Sequence, residues 1–456
     1  MSLKNRTILS YAAVALLLIL TGFLQSWSVT LVMINLCLIS AIMALGVNIQ
    51  WGYAGLFSAG TVGFTAVGGL AGVLISEAPI YEAWGVGGTG LAITVALLVT
   101  LVATIFGVMT LMTPGWKRRW VLTGTVLIGY FLIRLFFDEA TDAIEKVDPA
   151  SAGFLGGLGL PILLSWPVGG LLAALVAWGI GKVSLGLRAD YLAIATLGIG
   201  EIVIAVIKNE DWLSRGVKNV AGLDRPVPRE IDLQESPEFI SWVERIHSGA
   251  LEALTGDERA QALRDFVQYD SGIFVKLCFM ALFAVVLLIL FWLAQRSLNS
   301  PWGRMMRAIR DNEVAAEAMG KNVTKRHLQT FILGAAVVGI AGAMLTTLDG
   351  QLTPGTYNPL RYTFLIWVMV IVGGSGNNHG SVIGAFLIWF AWVQAEPAGA
   401  WFLDLVTSPL AEDNPVRLHL LDSAAHMRPF LMGLVLLLVM RFSPKGILPE
   451  PVRVGR

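Results

Sequence analysis

The stretch IFVKLCFMALFAVVLLILFWLA, residues 273–294, holds a single charged residue, Lys276, among its 22 positions. As a helix rising about 1.5 Å per residue it reaches across a hydrocarbon core of about 30 Å. Working outward from it, eleven further apolar stretches are predicted to span: 8–24, 29–49, 59–76, 91–112, 120–137, 166–181, 191–207, 328–348, 362–372, 381–395 and 429–442. The tenth span, 362–372, and the twelfth, 429–442, are short, as tilted, broken or re-entrant helices are. The whole chain agrees: 55% of its 456 residues are hydrophobic and 14% charged, with mean hydropathy +0.70, against about 25% charged in soluble domains. The predicted fold is an all-α, polytopic helical bundle of about twelve spans in a membrane.

Lys and Arg total 32, as do Asp and Glu, so no net basic surface points to nucleic acid. The charge is distributed unevenly. With both termini on the cytoplasmic side, the inner segments (1–7, 113–119, 182–188, 295–327, 441–456) hold 18 Lys and Arg against 4 acids. The outer segments (77–90, 138–165, 208–272, 396–428) hold 11 against 25, the bias that orients membrane proteins. The first span follows Lys4 and Arg6 and reads as a retained anchor, because the residues after it are too bulky for signal cleavage. Three portions follow: 1–207 and 273–456 as membrane portions, and 208–272 as an outer loop with a small helical cap. In that loop Ser236 before Pro237 and Glu238 marks a helix start.

Several chemistries are absent. The chain has no phosphate-cradling G-x-x-x-x-G-K-[ST] loop, since its Gly-Lys pairs run on into Val183 and Asn322. Cys37 and Cys278 lie in apolar runs, and His247, His327, His379, His419 and His426 are scattered, so neither a disulfide nor a metal site is expected. Only Glu201 lies well inside a span. Ion coupling needs a relay of such groups at membrane depth, and the shortage points to energy supplied from outside the chain.

Between two strong spans, SPWGRMMRAIRDNEVAAEAMGKNVTK (300–325) has Met305, Ile309, Ala316 and Met319 on one helical face, with Arg304, Arg307, Arg310, Asp311 and Glu317 largely off it. It is predicted to be one short amphipathic helix ended by Gly320. On periodicity alone a solvated or membrane-surface loop helix is the simpler explanation. The segment 313–320, however, resembles the cytoplasmic EAA-type loop of ATP-binding-cassette (ABC) importer permeases. The fuller string resembles that of branched-chain amino acid permeases of the LivM type. Four more motifs follow in that family's order: NIQWGYAGLFSAGTVGFTAVGGL (48–70), LRADYLAIATLGIGEIV (187–203), VIVGGSGNNHGSVIGAFL (370–387) and FSPKGIL (442–448). The turn at 376–380 and the outer segments depart from the family pattern.

The resemblance implies a multi-pass permease subunit of a bacterial inner-membrane importer for branched-chain or other apolar amino acids. Such a chain is not itself an enzyme and binds no cofactor. Its partners are two cytoplasmic ATPase subunits that hold ATP and Mg, a homologous second permease subunit, an extracytoplasmic substrate-binding protein and membrane lipid. Residues Arg304, Arg307, Arg310, Asp311, Glu313, Ala316, Glu317 and Gly320 form the expected ATPase contact. Related permeases carry urea, amides or aromatic acids. An ion-coupled secondary transporter and a structural subunit of a membrane complex stand as rivals.

Candidate pathway residues have simpler readings beside them. Gly52, Gly55, Gly60, Gly63, Gly68 and Gly69 suit close helix packing, or a helix broken over 51–58, with Tyr53, Gly55 and Ser58 at a cavity. Gly373, Gly374, Ser375 and Gly376 read as a turn, or as an inner gate. Glu201, with Tyr191 and Thr196 on the same helix, either lines the path or pairs with a sister subunit.

Overall fold

The computed structural model describes residues 3–148, 153–411 and 414–450, so parts of the segments 138–165, 396–428 and 441–456 lie outside the described residues. The chain begins with α1 (Leu3–Leu24) and α2 (Trp27–Asn48), and a π-helical turn, Ile49–Tyr53, ends α2. Residues 55–60 form no regular secondary structure, and α3 (Thr61–Ser76) follows. Next come the long hairpin α4 (Tyr81–Leu111) and α5 (Trp116–Glu145), then α6 (Ser165–Ser184) and α7 (Ala189–Asn209). The outer stretch holds α8 (Asp211–Ser214), strand β1 (Val220–Ala221), α9 (Glu230–Glu235), α10 (Pro237–Ile246) and α11 (Ser248–Leu251). After α12 (Gly256–Asn299) come α13 (Pro301–Asp311), α14 (Glu313–Ala318), α15 (Val323–Asp349) and strand β2 (Gln351–Leu352). A second π-helical turn, Leu360–Phe364, leads into α16 (Leu365–Gly373), and α17 (Asn378–Thr407), α18 (Pro415–Asp422) and α19 (Met427–Phe442) complete the chain.

Among the described residues ten helices are long and apolar enough to cross a membrane, and two shorter apolar ones, Thr61–Ser76 and Leu360–Gly373, accompany them. Every predicted span falls on one of these twelve. The twelfth span is the short helix α19, of 16 residues, which follows α18 and a 3-10 turn within the apolar run Pro415–Phe442. The third starts at Thr61, after an irregular segment that opens with Gly55 at a left-handed φ of +73°.

The centre of the bundle is α15, packed against α6, α3 and α2. Glycines allow its close approach: a Cβ on Gly68 of α3 would overlap the Gly339 carbonyl of α15, and one on Gly46 of α2 would come within 2.7 Å of the Gly334 carbonyl. In lipid, where apolar surface alone does not drive helices together, such small-residue seams carry the packing.

The predicted cap at 208–272 is helical, and Ser236 caps α10 by accepting from the Phe239 amide at 3.5 Å. The boundary at 272/273, however, falls inside α12, a 44-residue helix. Its first turns continue the span outward because Leu263, Phe266 and Val267 find an apolar partner in Phe239, Ile240 and Val243. His247 locks this small core, stacking on Phe266 at 4.1 Å and pairing with Asp270 at 2.9 Å. β1 and β2 pair antiparallel at the same end of the bundle, Val220 opposite Leu352.

Candidate functional site

Two half-length helices begin at one point inside the bundle and leave it in opposite directions. The Val62 amide of α3 donates to Thr363 Oγ1 at 3.1 Å, and Thr363 Oγ1 donates to the Ala59 carbonyl at 3.2 Å. Trp367 Nε1 donates to the Ser58 carbonyl at 3.0 Å, while Phe57 and Trp51 flank its ring at centroid distances of 4.2 and 4.8 Å. From this crossing α3 runs to the end that carries the β pair, where Gly72 lies against Thr346 of α15. α16 runs to the end that carries α13, where Gly376 lies beside Arg310 and Glu450. Irregular chain is tolerated at this depth because neighbouring groups satisfy its backbone. No side chain caps α3 at Gly60, and the Ser58 and Thr61 hydroxyls are buried with no partner among the described residues.

At the α13 end a buried amide cluster joins three helices. Tyr53 donates its hydroxyl hydrogen to Asn378 Oδ1 at 2.5 Å, Asn48 Nδ2 donates to the same oxygen at 3.0 Å, and Asn378 Nδ2 reaches Gln295 Oε1 at 3.3 Å. The Gly376 amide donates to Asn48 Oδ1 at 2.8 Å. Gly373, Gly374, Ser375 and Gly376 therefore sit in a knot at this end rather than at the helix crossing. The carboxyl-terminal segment closes that knot, with the Ile447 and Leu448 amides donating to the Val372 and Gly373 carbonyls at 2.8 and 2.9 Å.

The predicted single helix over 300–325 is two. Asn312 breaks it in an extended conformation and caps α14 by accepting from the Ala315 amide at 2.9 Å. The break shifts the apolar face. Met306, Ile309 and Ala316 are buried, whereas Met305 is half-buried and Met319 exposed. Gly320 ends α14 as predicted, with φ +79° and the Lys321 amide bonded to the Ala316 carbonyl at 3.1 Å. Arg310 faces inward, donating to the Gly52 carbonyl in the π-helical turn and pairing with Glu450 at 2.9 Å and Asp311 at 3.1 Å. Arg307 donates to the Leu298 carbonyl at 3.2 Å and stands 3.8 Å from Glu450. Arg304, Asp311, Glu313 and Glu317 are exposed, as is Val314. α14 thus offers an outer face of two acids and two apolar side chains, while α13 grips the end of α2.

Helix α7 divides the remaining candidates. Thr196 is buried against the crossing, accepting from the Ala59 amide at 3.0 Å, and Gly200 touches Gly60. Tyr191 and Glu201 are exposed. Thr196 and Glu201 take different faces of α7, because five residues on from Thr196 is well round the helix. Sequence reading did not single out Thr61, Thr363 and Trp367 at the crossing, the amides of Asn48, Gln295 and Asn378, or Glu450. The signal for the amides was polar residues at the ends of apolar runs.

The family model described as branched-chain amino acid transport system / permease component matches residues 149–440. A probable LivM permease of Methanocaldococcus jannaschii is 24% identical over 349 residues, 73% of this chain and 84% of that protein. The high-affinity LivM permease protein of Salmonella typhimurium is 27% identical over 233 residues, and that of Escherichia coli 26%. In both cases the match spans 50% of this chain and 50% of the relative. No solved structure gives a significant match. With an all-helical membrane bundle, and with the family model covering well over half of its length, the chain belongs to the permease components of branched-chain amino acid transport systems.

Proposed function

We propose that this chain is a passive permease subunit of an ABC importer and translocates branched-chain or other apolar amino acids. The observation that carries the reading is the continuous connection from an exposed two-helix element to a mid-bundle break. Motion imposed on α14 is passed by α13, through Arg310, to the Gly52 turn, and from there along residues 55–60 to the start of α3. In this reading the end with α13 and both termini are cytoplasmic, in a bacterial inner membrane, in keeping with the basic inner segments.

Of two ATPase subunits holding ATP and Mg, one presses on α14, where Glu313, Glu317 and the Gly320 cap form the contact, with Arg304 and Asp311 at its edge and Ala316 as its buried support. Arg307 and Arg310 transmit the motion inward. A binding protein delivers cargo at the acidic cap, and a homologous permease chain supplies the facing wall of the path. Tyr53, Gly55, Ser58 and Thr196 shape the inner half of this chain's wall, and Gly373, Gly374, Ser375 and Gly376 serve as a gate at the cytoplasmic end. Tyr191 sits at that end's interface.

Mild extraction of the tagged chain from its native membrane, with mass spectrometry of what co-purifies, tests the reading. Recovery of ATPase subunits and a second permease chain is expected. Their absence, under conditions that keep other membrane complexes intact, would favour a transporter that works alone.

A further inference from the structure

The exposed face of α7 carries a carboxylate that no described residue of this chain neutralises. Glu201 is the thirteenth of the 21 residues of α7, and it makes no ion pair or hydrogen bond with another described residue. An ionised group at that depth needs a water-filled path, a cation or a partner.

Its surroundings narrow the choice. Leu197 lies one turn before Glu201 on the same face of α7 and forms one wall of a groove of about 550 Å³. Phe57, Leu360, Phe364 and Trp367 complete an almost wholly apolar lining, and Ala59 and Thr363 bring the groove to the helix crossing. That volume lies in the range of small-molecule sites. Beside it is the start of α3, where the Val62 amide already donates to Thr363 Oγ1 and the Gly63 amide to the Gly60 carbonyl, so the polar groups left to meet an anion are side-chain hydroxyls. There the Ser58 and Thr61 hydroxyls, each at most 1% exposed, have no partner among the described residues. The α7 backbone meets this helix start directly, since a Cβ on Gly200 would lie 3.3 Å from Gly60 Cα.

We propose that this is a transit site for a zwitterion with an apolar side chain: Glu201 takes the ammonium group, the start of α3 with Ser58 and Thr61 takes the carboxylate, and the groove takes the side chain. The inference rests on the importer reading above. It accounts together for a carboxylate with no counter-charge among the described residues, two buried hydroxyls with no partner among them, and an apolar groove whose wall includes Leu197, one turn from Glu201, and Ala59, next to Ser58. It also makes this chain, and not only a delivering protein, selective for the amino group.

The test uses the full complex reconstituted in proteoliposomes, with radiolabelled leucine as cargo. Glu201→Gln is expected to lower the leucine imported per ATP hydrolysed by about tenfold or more, as loss of a desolvated charge partner does, while the complex keeps its second permease subunit. Glu201→Asp should retain an intermediate ratio. The double variant Ser58→Ala/Thr61→Val removes hydroxyls that bond to no described residue, so its thermal stability should equal or exceed that of the wild type, yet its ratio should fall severalfold. An unchanged ratio in Glu201→Gln overturns the ammonium site. Loss of the second permease subunit from that variant also overturns it, making Glu201 an intersubunit bond. If the unmodified complex imports no leucine with ATP, the importer reading itself fails, and this is seen before any variant is compared.

Discussion

The α4–α5 hairpin and helix α15 are both strongly apolar and of similar length, yet they do opposite things. Over its most apolar stretch α15 is 67% buried, whereas α4 is 6% and α5 0% buried. The hairpin packs chiefly on itself. α15 holds the centre against three other helices. Apolar content therefore says which segments enter a membrane but not which of them form the bundle's core. The distinction lies in what the glycines meet: those of α15 meet α2, α3 and α6, while in the hairpin Gly87, Gly90 and Gly129 meet only the other hairpin helix and Gly107 and Gly124 have open space beside them.

The strongest way to break that contrast is to fill the two kinds of glycine. Gly68→Leu forces a side chain onto the Gly339 carbonyl, and overpacking costs about 1–3 kcal/mol even where side chains can yield, which backbone cannot. Size-exclusion profiles in detergent should show no monodisperse protein, whereas Gly107→Leu should elute as the wild type does. A monodisperse Gly68→Leu would mean that α15 is not the packing centre.

A polar version of the comparison has a smaller effect. Asn378 is fully buried and bonded to Asn48, Tyr53 and Gln295, so Asn378→Leu should cost about 1–3 kcal/mol by leaving those groups unsatisfied. Thr104 of the hairpin bonds only its own helix, to the Thr100 carbonyl, and Thr104→Val should stay within about 0.5 kcal/mol. Chemical denaturation in mixed micelles measures both. Outside the membrane portion, the α14 face proposed to meet the ATPase should behave like the hairpin surface as far as folding is concerned. Glu313→Ala combined with Glu317→Ala should leave fold stability unchanged, both side chains being exposed, and should weaken ATPase binding severalfold in a pull-down. Wild-type binding would remove α14 from that interface.

The smallest expected effect concerns Glu77, just beyond α3. Burial, then the neighbouring Asp224, raise its pKa, and Arg215 opposes them. A carboxyl group whose folded pKa is raised contributes stability below its unfolded pKa and loses it as pH rises through the folded value. Glu77→Gln should therefore raise the melting temperature slightly near neutral pH, with no difference in acid. An equal shift at both pH values would assign the effect to packing.

Much of this contrast could be read in the sequence, and part could not. Span positions were legible because about 20 apolar residues leave few alternatives. The Ser236 start of α10 and the Gly320 end of α14 were legible because caps are local chemistry. The break at Asn312 was not, because periodicity on either side fits one continuous helix until the Asn side chain takes the Ala315 amide. The crossing of α3 and α16 was half legible. Gly55 and its neighbours signalled a broken helix, but Thr363 and Trp367 are some 300 residues away, and no local pattern brings them to Ala59 and Ser58. Glu450 escaped for the same reason: only the folded knot at 373–376 carries the carboxyl-terminal segment to Arg310.

The central claim is that Arg310 connects the exposed α13–α14 element to the broken helix at Gly52. The most direct test is the ratio of leucine imported to ATP hydrolysed by the reconstituted complex carrying Arg310→Ala. The account predicts an assembled complex that still hydrolyses ATP but imports about tenfold less leucine per ATP, since the variant loses a charge-assisted bond of about 1.5–3 kcal/mol. A wild-type ratio would contradict it.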